Sequence, residues 1–206
     1  MKKEEDVIMA IKYLKTPLSE EEARALRTGD VVYLSGSIYT ARDMGHLRIR
    51  SCLDAGEPLP CLLEGAALFH AGPVVLKDEN DNWRLNVIGP TTSIRMEPYA
   101  QMVGKLGVKV IIGKGGMGED TLAAARQYGY VYLQAAPGCA AKLAQGIRGI
   151  AKVDWLDMGM PEALWSLEAE NFGPLVVGMD TNGQSIYKDL GEAARAKMEQ
   201  LYPTGA

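Results

Sequence analysis

Val108-Lys109-Val110-Ile111-Ile112-Gly113-Lys114-Gly115-Gly116-Met117-Gly118 is a short apolar run that breaks into glycines. Bounded in this way, the run predicts a strand that opens into a loop. The alanine-rich stretch from Glu119 to Tyr128 is long enough for a helix, and Tyr130-Val131-Tyr132-Leu133 follows as another apolar run. Strand, glycine loop, helix and strand in succession predict an α/β architecture.

Working outward, the same punctuation recurs. Val31 to Leu34, Val74 to Leu76, Leu85 to Ile88 and Leu175 to Val177 read as further strands. Thr40 to Ala55, Glu97 to Leu106, Cys139 to Ile147 and Glu162 to Glu170 read as helices between them. The later strands are apolar throughout, as strands covered on both faces are, whereas Asp78-Glu79-Asn80-Asp81-Asn82 is a polar hairpin turn. Parallel and antiparallel pairing in one mixed sheet, flanked by helices, is therefore expected.

The ends read differently. Val7, Ile8, Ile11 and Leu14 fall at helical spacing, Thr16-Pro17 stops that pattern, and Ser19 with Glu22 forms a capping box for a second helix through Leu26. Three segments result: an N-terminal helical arm over 1–27, a principal domain over 28–190, and a C-terminal helix and tail over 191–206. The last helix is expected from Glu192 to Leu201, with fraying beyond it.

Charge and cysteine usage narrow the function classes. Lysine and arginine number 22 against 26 aspartates and glutamates, a formal charge of −4 that gives no basic field for nucleic acid. Apolar runs are broken well before the ~18 residues needed to span a bilayer. The start, Met1-Lys2-Lys3-Glu4-Glu5-Asp6, lacks the apolar core of a secretory signal. Cys52, Cys61 and Cys139 form neither a CxxC pair nor an even set, which argues against a disulfide framework and against a zinc or iron–sulfur site made by this chain alone. A reducing, cytoplasmic location is the expectation, with no metal bound by these residues.

Three loops concentrate chemistry where strands end, the usual ligand-facing edge of such a sheet. Ser35 to His46 brings hydroxyls together with Arg42, Asp43 and His46; its hydroxyls equally suit a helix cap, and Arg42 and Asp43 a surface pair. Gly89-Pro90-Thr91-Thr92-Ser93-Ile94-Arg95-Met96 sets three hydroxyls beside a guanidinium whose planar fork matches a carboxylate, or else begins a helix. Gly113, Gly115 and Gly118 fit G-x-G-x-x-G, but a dinucleotide site wants an acidic residue about 20 positions on. None occurs from Thr121 through Val153, and no Ser or Thr follows Lys114 to make a phosphate-binding P-loop. What remains is an ammonium carried between glycines. Arg42, Arg95 and Lys114 with the hydroxyls make half of a dicarboxylate site. His70, in Leu68 to Pro73, reads equally as structural or functional, and Cys139 as a small buried residue.

Residues 28–43, 89–96, 112–118 and Gly159-Met160-Pro161-Glu162-Ala163-Leu164-Trp165 resemble, in order, the β subunit of class I, iron–sulfur-dependent fumarate hydratase and its relative L(+)-tartrate dehydratase. The resemblance runs from about Thr16 to Tyr187. It implies a swivelling β/β/α domain, and substrate contacts by Arg42, Thr91, Arg95 and Lys114, with Thr91 as the proton-abstracting base and Lys114 also catalytic. Asp43 and His46 would orient Arg42 from behind, and Thr92, Gly113 and Gly115 would stand behind the other contact residues. It further implies a 4Fe-4S cluster on the cysteines of an α subunit, and a hetero-oligomer, expected as a dimer of heterodimers, that is inactive without that partner. The reaction implied is reversible hydration of fumarate to (S)-malate, with tartrate dehydration to oxaloacetate as the nearest alternative. A dinucleotide-binding domain and a non-catalytic dicarboxylate sensor are the readings from other classes.

Overall fold

The computed structural model describes residues 9–202. Its centre is a ring of five strands: β2 (Val31–Thr40), β3 (Ala67–Phe69), β6 (Val110–Gly113), β7 (Val131–Ala135) and β9 (Leu164–Met179). β2, β3, β6 and β7 run parallel in that order; β9 pairs antiparallel with β7 and again with β2, and so closes the ring. The sheet is mixed, as expected, and it closes into a five-stranded barrel, which the sequence reading did not foresee.

Sixteen residues allow β9 to do this. One edge lies along β2 from Val176 to Ser166, while the other pairs with β7 at its end and with β8 (Ile147–Asp154) at its beginning. β1 (Ile11–Lys15) continues the sheet beside the first half of β2. Outside the ring, β4 (Val74–Lys77) and β5 (Trp83–Val87) form the hairpin read from the polar turn at 78–82.

Two elements overturn the sequence reading. Leu164 to Glu170 is strand, not helix: Leu, Glu and Ala favour helices, but Trp165-Ser166-Leu167-Glu168-Ala169-Glu170 alternates apolar and polar, and its burial alternates with it. Pairing on both edges outweighs intrinsic propensity here. Ile11 to Leu14 likewise forms a strand instead of a helical arm, because the exposed edge of β2 offers hydrogen-bond partners and Tyr13 stacks on Tyr33 at 5.3 Å. Val7 and Ile8, and the expected fraying after Tyr202, lie outside the described residues. The capping box at Ser19 is present and starts α1 (Glu20–Ala25).

Alternation along the parallel strands sends side chains into two cores. Phe69, Ile112, Leu133 and Val177 fill the inside of the ring with Trp165 and Phe172. Leu68, Ile111, Tyr130 and Tyr132 point outward, against α2 (Asp43–Ala55), α3 (Ala100–Lys105) and α4 (Glu119–Tyr128). Both faces of β3 and β6 are buried, so these two strands carry no polar side chain, and β7 carries one, Gln134. Each large side chain so buried contributes about 1.5–3 kcal/mol. Short α5 (Ala140–Ala144) packs on β5, and α6 (Ile186–Leu201), capped by Ser185, begins six residues before the sequence suggested and buries no side chain fully. Among the described residues no helix is long and apolar enough to cross a membrane.

Candidate active site

Because β2, β3 and β6 run parallel, the chain leaves all three at the same end of the ring. Arg42 follows β2, His70 follows β3 and Lys114 follows β6. The Thr91 loop follows β5 and is tied in by the main chain: Thr91 N–H donates to His70 O (2.7 Å), Lys114 N–H to Thr91 O (3.3 Å) and Ser93 N–H to Lys114 O (3.1 Å). Three stretches far apart in sequence thus meet at one rim.

Arg95 opens toward Asp43. Its Nε lies 3.0 and 3.2 Å from the two carboxylate oxygens, and its Nη2 donates to Asp43 Oδ2 (2.9 Å) and to Thr91 Oγ1 (3.1 Å). The guanidinium holds Asp43 below the usual carboxylate range, and Asp43 raises Arg95 in turn. Arg42 instead faces Glu162, with Nε 3.2 Å from Oε1 but not aligned for a hydrogen bond. Asp43 therefore attends Arg95, and the carboxylate beside Arg42 is one that sequence reading did not single out, although it lies within the fourth motif. Gly72 has no side chain where Arg42 Nη1 packs, so any Cβ there would collide with it.

The two α-helices that start at the rim, α2 and α4, each receive a distant carboxylate at the amino end. Glu162 Oε2 accepts from Met44 N (3.1 Å) in the first turn of α2. Glu97 accepts from Gly118 N (2.7 Å), Thr121 N (2.9 Å) and Thr121 Oγ1 (2.6 Å) at the start of α4. A pyrophosphate on a G-x-G-x-x-G loop would need those same amides. Glu97 already holds them, and the ring is closed where a dinucleotide fold is open, so the geometry disfavours the nucleotide reading.

Lys114 stands at the turn into two left-handed glycines, Gly115 (φ 80°) and Gly116 (φ 77°), a conformation that glycine adopts without a Cβ penalty. Gly115 N–H donates to Gln134 Oε1 (3.1 Å), which also receives the Tyr187 hydroxyl proton. Gly113 is needed because a Cβ would overlap Ser93 Oγ. Thr92 precedes a 3₁₀ helix over Ser93–Tyr99 without capping it by its side chain, and pairs with Lys114 through the main chain.

Beneath the rim lie both histidines, fully buried. His46 Nδ1 donates to Arg42 O (2.8 Å), so it touches the arginine's backbone and not its guanidinium; burial pushes its pKa down to about 4. His70 packs edge-to-face with it at 5.2 Å, its Nδ1 lies 3.0 Å from Ser93 Oγ, and burial keeps it far below the ordinary range, helped by His46 and the Arg95 charge. Both are neutral.

Known proteins place this arrangement. The family model described as the fumarase C-terminus matches residues 2–190. The chain belongs to that family. It is 44% identical over 193 residues, 93% of this chain and 98% of the relative, to a protein of Methanocaldococcus jannaschii named "Putative L(+)-tartrate dehydratase subunit beta". To the L(+)-tartrate dehydratase subunit beta of Escherichia coli K12 it is 40% identical over 176 residues, 85% and 86% of the two chains. To a Geobacillus stearothermophilus protein named "Putative fumarate hydratase class I" it is 43% identical over 189 residues, 91% of this chain but only 36% of that one. The resemblance read from the four motifs is thus borne out at the level of the family. As a fumarase C-terminus domain, the chain carries Arg42 and Lys114 on loops that the ring's parallel strands deliver to one end, with Arg95 brought beside them by the loop after β5.

The fumarase C-terminus domain's cysteines are scattered: Cys52 is buried in α2, Cys61 is half-buried with its thiol pushed up to about 11 by burial, and Cys139 is exposed before α5. Among the described residues no group of three or more His, Cys, Asp or Glu gathers as a metal would need. A 4Fe-4S cluster, which takes a set of thiolates, does not fit these positions.

Proposed function

We propose that this chain is the β subunit of a two-subunit hydro-lyase that interconverts fumarate and (S)-malate, and that it supplies the cationic half of the site. The observation that carries the reading is the meeting of Arg42, Thr91, Arg95 and Lys114 at one end of the ring. Three cations less the two carboxylates, Asp43 and Glu162, leave the cluster one positive charge, on the side chain of Lys114, which makes no ion pair among the described residues. A small dianion is the ligand such a cluster attracts.

In this reading Arg42, Arg95 and Lys114 bind the two carboxylates and set the substrate carbon over Thr91. For malate, Thr91 Oγ1 takes the proton from the carbon beside the hydroxyl-bearing one, and hydroxide leaves the latter to give fumarate. An ordinary hydroxyl is too weak a base for this. The Arg95 guanidinium 3.1 Å from Thr91 Oγ1 favours the deprotonated oxygen, which is how a preorganised cation lowers a barrier. No step is assigned to a cluster on this chain, and the 4Fe-4S group is assigned to an α partner.

Two features favour a partner that covers the rim. Met44, Ile94 and Met160, next in sequence to Asp43, Arg95 and Pro161, are 47%, 49% and 46% exposed. The Geobacillus relative continues well beyond the part this chain matches. We place the assembled protein in the cytoplasm as a dimer of heterodimers.

Tartrate dehydration to oxaloacetate is the second reading, favoured by the name of the Escherichia coli relative. The test is co-expression with a candidate α subunit, followed by anaerobic iron–sulfur reconstitution and assay of the pair and of the lone chain with malate, fumarate and L(+)-tartrate. Turnover only by the pair supports the reading, and the better substrate decides between the two. Turnover by the lone chain, or none of these acids turned over by the loaded pair, rejects it.

A further inference from the structure

Four polar groups lie in line beneath the rim. Gly116 N–H donates to Tyr132 Oη (3.3 Å), Tyr132 Oη lies 3.1 Å from Ser93 Oγ, and Ser93 Oγ lies 3.0 Å from His70 Nδ1. Ser93, Tyr132 and His70 are all buried. The line ends at His70 Nε2, which has no partner.

Proton counting gives the line a direction. The Gly116 amide can only donate, so Tyr132 Oη accepts from it. Burial holds the Tyr132 phenol up at about 12, so it keeps its one proton, and the oxygen in reach for that proton is Ser93 Oγ. The neighbouring phenol, Tyr187, whose ring stands edge-on at 5.9 Å, also interacts with the Tyr132 hydroxyl, but its aligned hydrogen bond goes to Gln134 and the aligned one from Tyr132 goes to Ser93 Oγ. Ser93, having accepted from Tyr132, donates to His70 Nδ1. Reversing the line would leave the Tyr132 proton buried and unpaired as well as His70 Nε2, and each such group costs about 1–3 kcal/mol.

We propose that His70, Ser93 and Tyr132 are positioning residues: a one-way hydrogen-bond relay that fixes the Thr91 loop against the Lys114 loop and holds His70 in the tautomer protonated on Nε2. The relay reaches each loop at two points. His70 O accepts from Thr91 N, and Ser93 belongs to the Thr91 loop itself. On the other side Ser93 N donates to Lys114 O, and Tyr132 holds Gly116. His46 is set the opposite way round, with its proton on Nδ1 for Arg42 O, so the two packed imidazoles are complementary tautomers. Gly113 belongs to the device, since any side chain there would displace Ser93 Oγ.

The catalytic consequence rests on the dicarboxylate reading above; the tautomer does not. The first measurement is therefore ¹⁵N NMR of the full chain labelled at its two imidazoles, with His46→Asn to assign the signals. A bare, pyridine-type Nδ1 and a protonated Nε2 on His70 are expected, and Ser93→Ala should shift His70 toward the other tautomer. A protonated His70 Nδ1 in the unaltered chain, or a tautomer indifferent to Ser93→Ala, overturns the proposal.

The second measurement is steady-state kinetics of Tyr132→Phe in the assembled pair. With Gly116 released, KM for the dicarboxylate should rise at least fivefold while kcat falls less, and the folded ¹H–¹⁵N spectrum should persist. An unchanged KM overturns the positioning role. Should the loaded pair turn over no dicarboxylate while His70 has the stated tautomer, the functional reading falls and the relay stands.

Discussion

Arg95 and Asp43, 52 positions apart, meet through two nitrogens and two oxygens, and the same guanidinium reaches Thr91 Oγ1. The pair is partly exposed, at 43% and 39% of the side chains. Its contribution to stability is therefore about 0–1 kcal/mol, and its use is to aim Arg95. Asp43→Asn should leave the melting temperature within a few degrees while lowering kcat/KM of the assembled pair about tenfold, a loss of roughly 1.4 kcal/mol. Calorimetry beside a kinetic assay checks this; a large fall in melting temperature with unchanged kinetics would make the pair structural only.

Lys114 carries the charge that no carboxylate offsets. If the proposed function holds, Lys114→Ala removes one charged contact to the substrate, worth about 1.5–3 kcal/mol, and kcat/KM should drop on the order of 10- to 100-fold. Steady-state rates at several ionic strengths are the check. Rates within twofold of the parent would remove Lys114 from the site.

Glu97 holds the amino end of α4 with three hydrogen bonds. Glu97→Ala should cost about 1–2 kcal/mol, the range for a lost helix cap, which for a chain of this size lowers the melting temperature by about 2 to 8 °C. With those amides in use, NAD and NADP should give no heat in a calorimetric titration of the unaltered protein. Micromolar binding of either would overturn the account of this loop.

Stability should fall as the pH drops from neutral. His46 and His70 are neutral when folded, with His46 at about 4 and His70 well below 6.5, and both approach 6.5 when unfolded. Below about 6.5 the unfolded chain binds protons that the folded chain refuses, so stability is lost progressively down to the folded values. His46 alone accounts for a loss on the order of 3 kcal/mol over that window. The 26 carboxylates enter only toward the lower end of this window, so the loss between about pH 6.5 and 5 belongs chiefly to the two histidines. Urea midpoints measured from pH 7.5 to 4.5 test it, and a flat profile would contradict neutral burial.

Met44, Ile94 and Met160 form the exposed apolar part of the rim. Ile94→Asp with Met160→Asp should weaken association with the α partner at least tenfold, by placing charges where water is excluded, and change the stability of the lone chain by no more than about 0.5 kcal/mol per substitution. Sedimentation of the mixed subunits reads it out. Unchanged association would move the interface elsewhere.

How far the chain could be read follows from which signals are local. The strand at Val110–Gly113, helix α4, the hairpin turn and the Ser19 capping box are all legible, because each is written in consecutive residues. The four motif positions were legible too, since glycine breaks and hydroxyl clusters mark loops. Ile11–Lys15 and Leu164–Glu170 misled for one reason: their helical spacing or propensity is weak beside the main-chain partners that β2 and β8 provide. β3 escaped notice because three residues, Ala67–Phe69, are too few to show a period.

By itself the sequence determined the α/β class, the mixed pairing, the family and the loops that carry Arg42, Thr91, Arg95 and Lys114, the residues we propose for a dicarboxylate. Only the tertiary structure decided that the sheet closes through β9, that Glu162 stands beside Arg42 while Asp43 goes to Arg95, that Glu97 fills the helix end after the glycine loop, and that two buried histidines lie beneath the site. The physical reason is range. Propensity and turn chemistry act between neighbours in the chain, whereas strand pairing, carboxylate caps and desolvation join groups dozens of residues apart, and their partners exist only once the ring has formed.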